Sequence, residues 1–598
     1  MPRHIAVDVT RPNLSARTVE TAVVALAWAA LTANAAGVVW QYGSRMPYYD
    51  DWYVLSDFAT SRRGDWTWLF VHHNAHILPL ERLAIAASWI WTDGNLRPLL
   101  LSSVAVLSVA AAICLLTLNR LRGATRIEDA IVPLALLGSH AYSDAMWAIM
   151  WTNILAAGVL CAITCAIVLT CDRPRPWPFA AILFSVAFLA YQGGPGLLYS
   201  IGLAPALTFL GWRILRGSPS RGTLVVVIVA SLLTAIAVGI VLFYEASIVV
   251  SGEAGMGTRR RVGVAFLHML SHAFGRLAQS NLAIFSTLMP LFLVTAAGFG
   301  LGTRNRHDPK AVASLIVILP VLVLCAAIAV SRTGGSGGFT TRYVGMVMPV
   351  WCSLALASVT IDSGGVLGAI LRLASLMLAI STGMALHSHV TDSEGRLAAD
   401  RRIDSDIAAG HSAERLAADL SASYLVFPPE RFADQLLAIQ SLGAGSLAKI
   451  STSGEYAWRE IPAVPDQTRG CEAEGDSWLH VDGSRMHFPS GDEEVGDDAI
   501  KITFECQDVP WAVSVAGGAP SPPDECVLGP DLISRKLYPV AQAASGKGHR
   551  YTTTFAFDAA AGGFVFAPPT GSGRIRILSL EAGRRNRSTV EPVRHTDP

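Results

Sequence analysis

Apolar runs of about twenty residues recur through the first two thirds of this chain, each closed by a short polar or basic stretch. A helix rises about 1.5 Å per residue, so such a run spans the ~30 Å hydrocarbon slab of a bilayer. The pattern predicts eleven transmembrane helices, at 20–41, 95–118, 128–142, 150–171, 178–192, 197–212, 222–244, 282–301, 311–330, 343–361 and 365–387. Segment 78–93 is also apolar, but Glu81 and Arg82 stand near its start and Trp89 and Trp91 near its end. Charges and aromatics anchor at the membrane surface, so this segment is expected to lie in the interface. The first apolar run continues past Ala36 without an obvious cleavage site and is expected to stay as a span.

Basic residues test the alternation. Arg3, Arg11 and Arg17 precede the first span. Arg120, Arg122 and Arg126, then Arg173 and Arg175, then Arg213, Arg216 and Arg221, then Arg304, Arg306 and Lys310 follow at intervals that return to the same side. Excess Lys and Arg marks cytoplasmic loops, so the N-terminus is expected inside and the region after the last span outside. Three loops then share the outer face: 42–94, 245–281 and 331–342. The run Arg259-Arg260-Arg261 breaks the charge rule there; those arginines could neutralise a phosphate or simply contact anionic headgroups.

From about residue 388 the pattern changes. Residues 391–465 read as a helical connector, and 466–584 as a β-rich accessory domain of sandwich type. The strand signals are IKITFEC (500–506), WAVSVA (511–516), YTTTFAFD (551–558), GGFVFAP (562–568) and RIRILSLE (574–581). The tail 585–598 reads as disordered. Cys471, Cys506 and Cys526 lie in the β-rich part, where an extracytoplasmic setting permits one disulfide without saying which. The fold expected is therefore a mainly α polytopic membrane protein, 1–390, with an extracytoplasmic β-sandwich-like domain.

Composition agrees with this reading. Only 15% of residues are charged, against about 25% in soluble domains. Formal net charge is zero, which gives a nucleic-acid partner no electrostatic support. No Walker motif or dinucleotide fingerprint is present, which argues against an ATP-driven pump within this chain.

Candidate chemistry concentrates in Met46–Arg82. Asp50 and Asp51 follow the first span, and a carboxylate there can act as general base or bind a cation. In extended chain the two would point opposite ways. The bland reading is a polar juxtamembrane turn. His72, His73, Asn74 and His76 follow; His72 and His76 could share a helix face as metal ligands, or His73 and His76 could hydrogen-bond phosphate or sugar, or all could be solvated interface residues. Trp52, Trp66 and Trp68 could stack on sugar rings or sit in the interface. Arg342 and Tyr343, after the flexible GGSGGF stretch, open a late span where an arginine can fork onto phosphate; Arg332 stands nearby. The acidic run Asp492–Glu494 with Asp497 and Asp498 reads as a solvated loop before a calcium site, and Cys161, Cys165 and Cys171 as packing.

Together, Tyr49-Asp50-Asp51-Trp52 after the first span, His73-Asn74-Ala75-His76 and Arg342-Tyr343 resemble signatures of the GT-C superfamily of integral-membrane glycosyltransferases, in an uncharacterised bacterial branch. The resemblance covers roughly 1–390. Ala75 replaces the branch's acidic residue and Ile77 its arginine. The resemblance implies transfer of a sugar from a polyprenyl-phosphate carrier, not a nucleotide sugar, to a cell-envelope glycan or lipid acceptor at the outer face of the bacterial inner (plasma) membrane, with inversion. Asp51 is then the first choice for base. Asp50 serves as base or, with Asp51, as ligand of a divalent cation (Mg²⁺ or Mn²⁺). Arg342, Tyr343, Arg332, Arg259 and Arg260 would hold the donor phosphate, and His73, Asn74, His76 and Trp52 the substrate. Two rivals are an O-antigen polymerase or ligase using a diphosphate-linked donor, and a lipid-linked-sugar transporter. Ionisable groups clustered in loops rather than mid-span disfavour the transporter.

Overall fold

The computed structural model describes residues 14–61, 65–71, 77–138, 147–217, 220–249, 259–302, 307–331, 343–361, 365–411, parts of 413–450, and the strand backbones between 456 and 585. Its contacts divide the chain into two units, Met1–Met46 with Arg62–Leu397, and Pro47–Ser61 with Ala398–Pro598.

The first unit is a helical membrane unit. Its elements are α1 (Leu14–Tyr42), α3 (Pro79–Trp91), α4 (Arg97–Arg122), α5 (Ile131–Leu137), α6 (Trp151–Thr170), α7 (Pro176–Ala190), α8 (Gly194–Gly217), α9 (Arg221–Val249), α10 (Arg259–Ser271), α11 (Arg276–Ser280), α12 (Leu282–Leu301), α13 (Pro309–Ile316), α14 (Leu319–Ser331), α15 (Val344–Val347), α16 (Pro349–Thr360) and the start of α17 (Val366–Ala408). Helix α2 (Asp51–Thr60) belongs to the second unit. Eight helices among the described residues are long and apolar enough to cross a membrane: Arg17–Tyr42, Arg97–Arg122, Ala148–Thr170, Gly194–Gly217, Arg221–Leu242, Leu282–Leu301, Pro309–Val330 and Val366–Leu386. This is a multi-pass α-helical membrane protein.

Three of the eleven expected spans are shorter. The described part of 128–142 is a 3₁₀ turn, Ile127–Ala130, followed by the seven residues of α5. The 178–192 segment is α7, with 15 residues, about 22 Å of helix at 1.5 Å each. The 343–361 segment is two short helices joined at Met348 before Pro349. Local punctuation explains the cuts. Gly193, at φ 85, turns the chain between α7 and α8, and prolines at the first positions of α7 and α16 start new helices. The expected outer loop 245–281 is largely helical, since α9 runs to Val249 and α10 begins at Arg259.

Helix α3 also departs from expectation. Its charges are not open to the surface: Glu81 and Arg82 are each 1% exposed, and Trp89 is fully buried. Trp91, 84% exposed, alone of the four keeps an open position. The apolar face of α3 is two-sided, so hydropathy could not say which side the charges take.

The bundle's hydrogen bonds fix its alternation. Arg97 Nε donates to Gly43 O (2.7 Å), and Trp28 Nε1 donates to Ser108 O (3.1 Å), so α1 and α4 run antiparallel. Trp151 Nε1 donates to Ser102 Oγ (2.7 Å), and the Cys165 and Cys114 sulfurs lie 3.6 Å apart, so α4 and α6 run parallel. One end therefore gathers Arg122, which donates to both oxygens of Asp129 (3.0 Å each), and Asp172, whose carboxylate pairs with Lys310 (2.6 Å) and whose carbonyl accepts from Arg213 (3.3 Å). The basic clusters after α4, α6 and α8 and before α13 share that end, as the charge pattern predicted. Close backbone contact ties α8 to α14: a Cβ on Gly202 would lie 2.4 Å from Pro320 Cα. Small residues allow this approach where lipid supplies no hydrophobic drive between helices.

In the second unit, α2 packs on α18 (Pro429–Gln440), with the buried Trp52 ring edge-on to Phe432 at 5.0 Å and 87°. The expected strands form as β5 (Ala499–Gln507), β6 (Ala512–Ala516), β8 (Gly548–Ala556), β9 (Gly563–Ala567) and β10 (Ser572–Arg585). They are joined by β1 (Tyr456–Glu460), β2 (Cys471–Glu474), β3 (Trp478–Asp482), β4 (Met486–Phe488) and β7 (Ile533–Lys536). They make two antiparallel sheets, one ordered β2-β3-β10-β5-β8 with β1 on β10, the other β4-β9-β6-β7. Cys471 on β2 and Cys506 on β5 are separated by β3 and β10. Three strand spacings amount to about 14 Å, beyond the ~7 Å Cα limit of a disulfide. The backbone thus removes one of the pairings left open by the sequence. Cys526, the acidic run 492–498 and the tail from 586 lie outside the described residues.

Candidate active site

Asp50 and Asp51 sit at the start of α2, not in extended chain. Asp50 has helical dihedrals (φ −69, ψ −15) and Asp51 is the first residue of the helix. The Tyr48 backbone N–H donates to Asp51 Oδ2 (3.0 Å), while Asp51 N–H returns to Tyr48 O (3.1 Å). This reciprocal pair closes a tight turn, and a carboxylate in a first helical turn also meets the positive end of the dipole. The turn forces Tyr49 to φ 47, a left-handed position few non-glycine residues occupy. Such strain costs of order 1–3 kcal/mol and gathers at functional sites. Asp51 is 1% exposed, whereas Asp50 is half-buried. Of the pair, Asp50 is the carboxylate within reach of another molecule, and Asp51 is the one that sets the turn. Trp52 is wholly buried against Phe432, so it is a core residue here rather than a sugar platform or an interface anchor.

Further buried polar groups lie in the membrane unit, with Glu81 and Thr152 at the end opposite the basic clusters. Pro79 starts α3, which brings Glu81 into its first turn. Thr152, one residue into α6, donates its hydroxyl to Glu81 Oε2, and both side chains are buried. Gln192, just after α7, is fully buried, with no hydrogen-bond partner among the described residues for either amide atom. Its neighbour Gly193 fits against Leu78: a Cβ there would lie 2.6 Å from Leu78 Cδ2. Tyr199 on α8 donates its hydroxyl to Met346 O on α15. Just before α15, the Tyr343 ring stands 6.3 Å from that of His272, which is fully buried. His272 Nδ1 lies 2.8 Å from His268 O, and a carbonyl only accepts, so Nδ1 carries a proton and donates to it. Ionisable groups buried at such a place are expensive and mark function by default.

A groove of about 670 Å³ opens beside this end. It starts at Phe70, Pro79 and Leu80 and continues between Phe184 and Tyr191 of α7 and Leu233 and Ala237 of α9. Its lining is almost wholly apolar, and its volume lies in the ~300–1,000 Å³ range of ligand sites.

Of the residues singled out in the sequence, Asp50, Asp51, Trp52 and Tyr343 are described in full. Arg259 and Arg260 are described by backbone alone, in the first turn of α10. His72, His73, Asn74, His76, Arg332 and Arg342 lie outside the described residues. Trp66 is exposed and Trp68 buried. The buried Glu81–Thr152 pair, Gln192 and His272 were not foreseen as site residues. Their one sequence signal is a Glu-Arg pair inside an otherwise apolar 13-residue helix. For a divalent cation, Asp50 and Asp51 offer two carboxylates, and among the described residues no third His, Cys, Asp or Glu donor closes on them. A hard ion takes about six oxygens, so water or substrate phosphate would have to complete its shell.

No family model matches the chain, and no curated protein matches it. Among solved structures, the cryo-EM structure of arabinosyltransferase EmbB from Mycobacterium smegmatis superposes over 93% of this chain at 13% identity, with a TM-score of 0.31. The chain spans 64% of that structure's length. A match of that kind assigns no family.

Proposed function

We propose that this protein is a membrane glycosyltransferase that moves a sugar from a polyprenyl-phosphate carrier to a glycan or lipid acceptor of the cell envelope, at the membrane face opposite the basic clusters. The observation that carries this reading is the apolar groove in a multi-pass helical unit, whose lining residues Leu80 and Tyr191 adjoin in sequence the buried Glu81, hydrogen-bonded to Thr152, and the buried Gln192. A lipid-linked sugar has that shape: an apolar tail for the groove and a charged, hydroxyl-rich head for polar groups beside it. The strained turn at Tyr49 supports a role for the adjacent carboxylates.

In this reading the Asp50–Asp51 turn supplies the base that takes the acceptor hydroxyl's proton as the sugar is transferred. The greater exposure of Asp50 supports giving it that role, with Asp51 supporting the turn, the reverse of the order expected from sequence. Arg342, with Tyr343 and Arg332, neutralises the phosphate that leaves. Arg259 and Arg260 fit the same purpose. Basic residues in a first helical turn oppose the dipole by about 0.3–1 kcal/mol each, and a bound anion relieves that opposition. His73, Asn74 and His76 are assigned to the sugar. A divalent cation, where used, would sit on Asp50 and Asp51 and polarise the oxygens it binds. The basic end faces the cytoplasm, and the β-rich unit is extracytoplasmic.

Cells lacking the protein test the reading. A polyprenyl-phosphate-linked sugar should accumulate in their membrane lipids and return to normal on complementation. Accumulation of a polyprenyl-diphosphate oligosaccharide instead would favour the polymerase or ligase. An unchanged lipid-linked pool would remove the donor class.

A further inference from the structure

Six cysteines are described in the membrane unit, all buried and none in a disulfide. Four of them converge on one place. Cys114 comes from α4, Cys161 and Cys165 from successive turns of α6, and Cys352 from α16. The sulfurs of Cys114, Cys161 and Cys352 lie within 4.8 Å of one another, and Cys165 Sγ lies 3.6 Å from Cys114 Sγ. Independent packing of small apolar residues accounts for burial, but not for three thiols from three helices aimed at one point. Among the described residues this is the one group of three or more His, Cys, Asp or Glu donors that closes to that distance.

Metal geometry fits the spacing. Zinc–sulfur bonds of about 2.3 Å place two coordinating sulfurs about 3.8 Å apart, so the triad needs to contract by at most about 1 Å. Thiolates select Zn²⁺ and Cu⁺ over harder ions. The bilayer interior penalises net charge, which fixes the proton balance. A neutral site forms when Zn²⁺ displaces two thiol protons and one sulfur binds as a thiol, or when Cu⁺ displaces one and two sulfurs stay thiols. We propose that Cys114, Cys161 and Cys352 form a site for one soft, thiophilic cation, Zn²⁺ or Cu⁺, that staples α4, α6 and α16 inside the membrane unit. Cys165 lies beside the triad as a hydrogen-bonding neighbour of Cys114.

The test is the metal content of the full-length protein, purified in detergent from cells supplied with zinc or, separately, with copper. About one ion per chain is expected in one of the two preparations, the structural stoichiometry of a thiolate site. Cys165→Ala should keep it, and Cys161→Ala should lose it. Wild-type protein alone decides if Cys161→Ala does not insert. Metal below about a tenth of an equivalent in both preparations would overturn the proposal, since thiolate sites hold their ions tightly. So would a disulfide between two of Cys114, Cys161 and Cys352 mapped on peptides of the wild-type protein, which would stand in place of the triad.

Discussion

Thr152→Val probes the polar end of the membrane unit at one atom pair. Valine replaces the hydroxyl with a methyl group of similar size, so no cavity forms, and the change removes only the donor to Glu81 Oε2. Both side chains are sealed from solvent, so no water replaces the lost bond cheaply. A hydrogen bond to a charged group contributes about 1.5–3 kcal/mol, and one between neutral groups about 0.5–1.5 kcal/mol. Thr152→Val should therefore destabilise by about 1–3 kcal/mol, and Glu81→Met, which removes the accepting oxygen, by at least as much. The double variant should cost less than the sum, because each single change removes the same bond. Equilibrium unfolding in mixed detergent micelles gives the cycle. A coupling above about 1.5 kcal/mol means an ionised Glu81, and a smaller but real coupling means a protonated one. Additive losses, with coupling near zero, would show that the two side chains do not meet.

Other perturbations separate packing, donor binding and orientation. Gly202→Ala drives a Cβ into the Pro320 backbone, so the unit should lose about 1–3 kcal/mol, the scale of overpacking; wild-type stability would mean that α8 and α14 do not approach this closely. Arg342→Lys keeps the charge but not the planar fork, so donor affinity in purified protein should fall by about 1.5–3 kcal/mol, and an unchanged affinity would remove Arg342 from the site. A reporter active only outside the cytoplasm should work when fused after His389, whereas activity of a cytoplasm-only reporter there would reverse the orientation.

Long spans were legible because an apolar run of fixed length is dictated by the bilayer, and arginine clusters marked which ends share a side. Short helices were not, because the cuts at Gly193 and Pro349 depend on single residues inside runs that stay apolar. The strand cores 500–506 and 574–581 were read from alternation, while their order in the sheet is set by contacts distant in sequence. At the site, the Asp50–Asp51 pair was visible as composition. Its conformation was not, since the Tyr48–Asp51 hydrogen bonds turn an apparent extended stretch into a helix start. Glu81 and Arg82 were seen and misplaced: a charge pair beside tryptophans looks the same whether it faces the membrane surface or the bundle.

The central claim is transfer from a polyprenyl-phosphate sugar by the Asp50–Asp51 turn. The direct measurement is transfer of labelled sugar from a synthetic polyprenyl-phosphate donor by purified protein in detergent, with and without chelator. Wild-type protein should turn over. Asp50→Asn, inserted and folded as wild type, should be slower by about 10²–10⁴-fold, the contribution of a positioned base. Asp51→Asn keeps an oxygen for the Tyr48 N–H, so it should be affected less. If Asp50 instead serves a cation, added Mg²⁺ or Mn²⁺ should partly restore its variant. Near wild-type turnover in both Asp50→Asn and Asp51→Asn would contradict the account.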